Sequence, residues 1–358
     1  MKKFNRRKTI VLITFGILFA FSIIITINLS FIMGNSSKSS NHSDNKKLRM
    51  SKISGKIHID NNWTAAKSVG ITTGNGTFSE PYVIEDLVID AGGSETGILI
   101  ENSDVYFRIE NCTIYNSGNK SLHVTGFGIR LSYVSNSQLI NNNCSSNYIG
   151  IHIGNCDNIT ISGNIVNDNY QGIWFCDDCD YNTISGNTVN NNEERGMHLH
   201  LNDYNSITGN KFNHNGECGL YLGISRYNNI MGNNLDSNAI GICLLLNSDY
   251  NIISGNNASY NEVYGIWLHF SNYNTISGNK LIGNNNKCWK EESCEGNLFE
   301  NNECSGGNTS LITLFILIFS TIVLFSIISV VVILISKKLM VHKQLSTYSL
   351  INDVAKYR

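Results

Sequence analysis

The chain has 358 residues, with 26 Lys and Arg against 28 Asp and Glu, a formal net charge of −2 and 15% charged residues. No basic surface is on offer for nucleic acid. Its 53 asparagines against the single proline, Pro81, could mark a disordered tract, but regularly spaced Ile, Leu, Val and aromatic residues run through it and make a core available.

The first eight residues, "MKKFNRRK", are basic, and the stretch 9–33 that follows is apolar, with no charge from Ile10 to Met33. Near the other end, 310–336 is equally apolar and precedes "SKKLMVHK". Each run is long enough, at ~1.5 Å per residue, to cross a hydrocarbon core of ~30 Å, so both are candidate transmembrane helices. Basic clusters at Lys2, Lys3, Arg6, Arg7 and Lys8 and at Lys337 and Lys338 predict both ends in the cytoplasm and the middle outside the cell membrane. The first run could instead be a cleaved signal peptide, but its length and the lack of an A-x-A site favour an anchor. A polar linker is predicted over 34–54 and a short cytoplasmic tail over 337–358. All ten cysteines lie between Cys112 and Cys304, where an oxidising exterior would allow disulfides. Ten N-x-[ST] sequons, from Asn35 to Asn308, are consistent with a glycoprotein.

Gly-Asn recurs at 163–164, 186–187, 209–210, 232–233, 255–256 and 278–279, five consecutive intervals of 23 residues. "NTISGN" appears twice, letter for letter, at Asn182 to Asn187 and Asn274 to Asn279. Each unit alternates apolar and polar residues over three or four positions, first as Gly-Ile-x-Leu and then as x-Ile-x-Gly-Asn, which predicts short strands separated by turns. Gly-Asn in mid-unit would break a helix. One unit is therefore one coil of a parallel β-solenoid, each stacked ~4.8 Å above the last. Ile161, Ile184, Ile207, Ile230, Ile253 and Ile276 are predicted to point inward in one column, and Val166, Val189, Phe212, Leu235, Ala258 and Leu281 in another. Asn164, Asn187, Asn210, Asn233, Asn256 and Asn279 form a ladder at a turn, where Asn tolerates left-handed geometry. Tyr181, Tyr204, Tyr227, Tyr250 and Tyr273 are expected to stack.

The middle residue of Gly-Ile-x-Leu faces out and reads Arg130, His152, Trp174, His198, Tyr221, Cys243, Trp267. Aromatic and cationic groups along a flat sheet suit sugar rings, making Arg130, His152, Trp174, His198, Tyr221 and Trp267 a candidate ligand-binding face. The plainer alternative is that aromatics simply suit β surfaces. Cys156 and Cys179 occupy equivalent sites in adjacent coils, within disulfide range, and a staple between them is expected. Cys176, His198 and His200 could together offer nitrogen and sulfur to a soft metal. Asp157, Asp180 and Asp203 line up as candidate acids for sugar chemistry, though the same residues could simply begin turns. No motif calls for a cofactor.

The repeat, Gly-Ile-x-Leu followed by Asn-x-Ile-x-Gly-Asn, together with "GNGTFSEPYVIEDLVIDAGG" and "YFRIENCTIYNSG" ahead of it, resembles the NosD-like group among the carbohydrate-binding proteins and sugar hydrolases. The resemblance spans about residues 55–307 and implies an all-β, right-handed parallel β-helix of the pectate-lyase-like type. Such coils carry lyases, hydrolases, epimerases and adhesins alike. The expected role is non-enzymatic surface recognition or structure, with glycans or other surface polymers and the membrane as partners. A polysaccharide lyase or glycoside hydrolase is the alternative, and a part in copper-site maturation, which the resemblance implies, is the third.

Overall fold

The computed structural model describes residues 52–93, 95–119 and 125–305. The apolar runs 9–33 and 310–336 lie outside the described residues. Among the described residues no helix is long and apolar enough to cross a membrane.

The alternation seen in the sequence becomes a solenoid of parallel strands. A wide ten-stranded sheet runs from Ile57–Asp60 at one end, through strands such as Gln171–Cys176 and Cys218–Gly223, to Lys287–Glu292 at the other. A narrow ten-stranded sheet collects the shorter strands, from Tyr82–Glu85 through Thr183–Ser185 to Leu298–Glu300. Ten rungs thus give nine turns from first to last. The third side of each coil starts as a three-stranded sheet, Lys52–Ser54, Leu87–Asp90 and Thr113–Tyr115, and continues as single-residue parallel bridges from Thr113–Asn143 to Lys280–Glu303.

Parallel in-register pairing stacks equivalent residues. Ile161, Ile184, Ile207, Ile230, Ile253 and Ile276 sit in direct register and are fully buried, as are Val166, Val189, Phe212, Leu235, Ala258 and Leu281. Burying each Ile, Val, Leu or Phe side chain of these columns contributes about 1.5–3 kcal/mol. A helix, Trp63–Ser68, adds Trp63 and Ala66 to the core at the first rungs, where Trp63 stacks on Tyr82 at 5.0 Å and donates its indole N–H to Ser103. At the last rung Trp289 stacks on Phe299 and a disulfide joins Cys288 to Cys304, with 5.8 Å between Cα atoms.

The Gly-Asn turn works differently from the expectation. The left-handed residue is the glycine, with φ of 66° at Gly163 and 64° at Gly186, whereas Asn164 and its equivalents turn inward and are buried. Asn187 Oδ1 accepts the backbone N–H of Asn164, and its Nδ2 donates to the carbonyl of Ile161. Asn210 does the same for Asn187 and Ile184. The ladder thereby satisfies backbone groups that the turns leave without strand partners. Two parallel ladders do the same work, one through Asn169, Asn192, Asn215 and Asn238 and another through Asn182, Asn205, Asn228 and Asn251. Left-handed non-glycine residues do occur elsewhere: Tyr181, Tyr204, Tyr227, Tyr250 and Tyr273 have φ of 53–58° and stack with centroids 5.0–5.3 Å apart.

In place of the expected staple, Cys156 and Cys179 are free thiols. Their column is another acceptor ladder: Cys179 Sγ takes the N–H of Cys156 at 3.3 Å, and Asn202 Oδ1 takes that of Cys179 at 2.8 Å. The two thiols hydrogen-bond to each other from adjacent coils without being joined.

Candidate functional site

Backbone pairing puts Arg130, His152, Trp174, His198, Tyr221, Cys243, Trp267 and Lys290 in one outward line on the wide sheet. The rings cover one another. His152 packs edge-on against Trp174 at 5.1 Å, Trp174 lies parallel to His198 at 5.8 Å, and His198 meets Tyr221 at 4.7 Å and 85°. His152 is only 7% exposed, while Trp174, His198 and Tyr221 are half-buried. These are favoured aromatic geometries, so part of the line serves cohesion between coils.

Burial, helped by neighbouring cations, keeps His152 and His198 neutral. Arg195 donates from Nη1 to His198 Nδ1 at 3.2 Å, sits 4.3 Å from the Tyr221 ring centroid and reaches Glu217 at 3.0 Å. Because the guanidinium donates, the proton of the His198 imidazole is on Nε2. Burial, with Arg195 and His200 adding, holds His198 down at about 3. Burial and Arg130 hold His152 at about 4, against a weaker upward pull from Asp177. His152 Nε2 lies 3.3 Å from Cys176 Sγ, and burial, reinforced by Asp177, pushes that thiol up to about 12. At neutral pH the pair is a thiol beside a neutral imidazole, the opposite of an activated thiolate.

Asp157, Asp180 and Asp203 do line up, but each carboxylate hydrogen-bonds protein backbone. Asp157 Oδ1 accepts the N–H of Asp180 at 2.9 Å, Asp180 that of Asp203 at 2.7 Å, and Asp203 that of Arg226 at 2.6 Å. Burial raises the Asp180 pKa, the N–H bond from Asp203 works against that, and the Asp203 and Asp157 charges add to the rise. The geometry gives these acids a scaffolding duty and sets no general acid opposite a general base.

A feature absent from the sequence reading interrupts the aromatic line. Cys243, fully buried, takes the place between Tyr221 and Trp267 and bonds to Cys218, with 6.4 Å between Cα atoms. These cysteines are not repeat equivalents, since Cys218 pairs in register with Ile240 and the disulfide crosses diagonally. The missing ring opens an almost wholly apolar cleft of about 290 Å³, with Tyr221 and Trp267 as walls, Ile240, Leu245 and the disulfide at its base, and Arg195 and Glu217 at its rim. Trp267 is steadied by an indole N–H bond to Glu292 at 3.2 Å.

The profile of the NosD family, described as periplasmic copper-binding protein, matches residues 23–194, 84–257 and 243–314. The chain belongs to the NosD family. No curated protein matches it. Among solved structures, a double mutant of the periplasmic alginate epimerase AlgG shares 18% identity over 59% of this chain and 65% of that one, with a TM-score of 0.47. The Dettilon tailspike protein gp208 shares 17% over 60% of this chain and 55% of that one, at 0.46. The DFA-IIIase of Arthrobacter chlorophenolicus A6, in complex with GF2, shares 11% over 62% of this chain and 74% of that one, at 0.48. The chain spans less than two thirds of the first two, and the likeness is one of fold alone.

The copper in the family description finds no matching donor set. Among the described residues no three His, Cys, Asp or Glu side chains converge on one point. Cys176 and His200 are register partners and His198 lies beside them, yet the three do not come together as a metal-holding group. Metal binding wants deprotonated, convergent ligands, and these three residues do not fit it.

Proposed function

We propose that this NosD-family protein is a non-enzymatic recognition rod, displayed outside the cell membrane by its apolar terminal runs, that binds glycans on the outer face of the wide sheet. The observation that carries this reading is the cleft at Cys243. Two rings two rungs apart, ~9.6 Å at the spacing of a parallel sheet, leave a gap that one sugar ring can enter with its C–H face against an aromatic wall. The cleft's volume is near the lower end for ligand sites, which suits a single ring of a longer polymer rather than a free oligosaccharide. Arg195 and Glu217 at the rim offer hydrogen bonds to hydroxyl groups. No comparable observation supports the lyase or hydrolase alternative.

The test is a glycan array probed with the ectodomain and with Trp267→Ala and Tyr221→Ala. Binding to at least one glycan class, weakened about tenfold or more in both variants with the far-UV spectrum unchanged, is the expected result. A silent array, or binding indifferent to both substitutions, removes the reading.

A further inference from the structure

The narrow sheet departs from its own pattern at one end. Its outward line reads Thr160, Thr183, Ser206, Asn229, Ile252, Thr275 and Leu298 through the regular coils, uncharged throughout. In the rungs before Thr160 the line carries Gln138 and Arg108 instead. These long side chains lie in a cleft of about 670 Å³ walled by Phe78 and Pro81 on one side, Tyr106 beside Arg108, and Asn136, Asn158 and Thr160 beyond.

The wall at Phe78 is a built structure. Residues 73–83 fold back as a hairpin through paired backbone bonds between Thr73 and Val83, with Asn75 N–H donating to Glu80 and Tyr106 N–H to Gly76. Lys67 ties the base by donating to Gly74 O and Asn75 Oδ1, both at 2.7 Å. Gly74 has φ of 83°, and a Cβ there would lie 1.9 Å from Pro81 O, so only glycine closes this turn. The hairpin holds Phe78 83% exposed over the cleft, its ring edge-on to Tyr106 at 5.4 Å.

The cleft's polarity is one-sided. None of its lining residues is acidic. Arg108, whose side chain is 37% exposed, pairs through Nε with the Glu110 carboxylate at 3.7 Å, and that Nε makes no hydrogen bond inside the protein. A guanidinium has five N–H donors, so this single long ion pair leaves donors for a second carboxylate. The geometry points to a second ligand site, here for a carboxylate-bearing sugar: Arg108 takes the carboxylate, Phe78 and Tyr106 the C–H face of the ring, and Gln138, Asn158 and Thr160 the hydroxyl groups. The site is separate from the cleft at Cys243 and stands whether or not that one binds glycans.

The test is calorimetric titration of bacterially expressed ectodomain, whose Asn158 sequon is bare, with trigalacturonate and with maltotriose at low and high salt. The acidic trisaccharide is expected to bind more tightly, with an affinity that falls as salt rises. Arg108→Gln is expected to weaken it about tenfold or more, Phe78→Ser to weaken it measurably, and Trp267→Ala to leave it unchanged. Phe78→Ser alters an exposed residue and keeps the test valid should Arg108→Gln misfold. No binding of trigalacturonate, equal binding of maltotriose, or sensitivity to Trp267→Ala but not to Phe78→Ser overturns the site.

Discussion

The two long sheets share strand count, parallel pairing and register, yet their outward lines differ. Through its regular coils the narrow sheet's line stays uncharged, as Thr160, Thr183, Ser206, Asn229, Ile252, Thr275 and Leu298, while the wide sheet's carries rings at His152, Trp174, His198, Tyr221 and Trp267. Each rests on its own fully buried apolar column, so the backbone does not require the rings. A solenoid can thus keep one side uncharged and load another with chemistry, and a break in the uncharged side, as at Arg108, is itself informative.

The comparison breaks most severely at the ladder flanking the narrow sheet. Asn210→Ala takes the side-chain acceptor from the Asn187 N–H and the side-chain donor from the Ile184 carbonyl, and leaves the Asn187 side-chain amide only its bond to the Ile161 carbonyl. At about 1–3 kcal/mol for each buried group, a loss on the order of 4 kcal/mol is expected in urea unfolding, larger than for any single outward substitution.

Acid should act on the wide sheet. His152 and His198 are neutral in the fold, with pKa values held at about 4 and about 3 against 6.5 for a free histidine. The unfolded chain therefore takes up protons first as pH falls. The contribution of these residues is complete above about pH 6.5 and is lost between there and about pH 3, on the order of 3 kcal/mol per histidine. Unfolding midpoints measured from pH 7 to pH 4 should fall, and the double variant His152→Gln, His198→Gln should flatten that slope. A slope unchanged in the variant would mean that the histidines are accessible to protons in the fold.

The smallest effects sharpen the contrast between the two kinds of outward residue. Asp180→Ala removes the acceptor for the Asp203 N–H and should cost about 1 kcal/mol, as loss of a capping side chain does. Thr183→Ala, on an exposed side chain in the uncharged line, should stay within about 0.5 kcal/mol. Equal losses at the two sites would show that the Asp ladder does no structural work.

How much of this was legible follows from the 23-residue period. Period and alternation together gave the register of the Ile column, the Tyr stack and the outward line from Arg130 to Trp267, because parallel stacking places repeat equivalents in contact. The same rule predicted a staple at Cys156 and Cys179, where equivalence brings the thiols into contact but they stand free and act as acceptors in the ladder. It also hid Cys218–Cys243, whose partners are not equivalent. The ladder of Asn182, Asn205, Asn228 and Asn251 keeps the 23-residue spacing and could have been read. The cleft at Arg108 could not, because 30 residues separate Arg108 from its register partner Gln138 and the wall comes from a hairpin outside the repeat.

The Asn ladders have a direction: each side chain receives the backbone N–H of the coil before it and reaches a carbonyl on that earlier coil. A whole 23-residue unit can therefore be removed or added without changing the joint between its neighbours. The rod is in that sense a ruler, and the distance between the cleft beside Arg108 and the gap at Cys243 is set by the number of coils, in steps of ~4.8 Å.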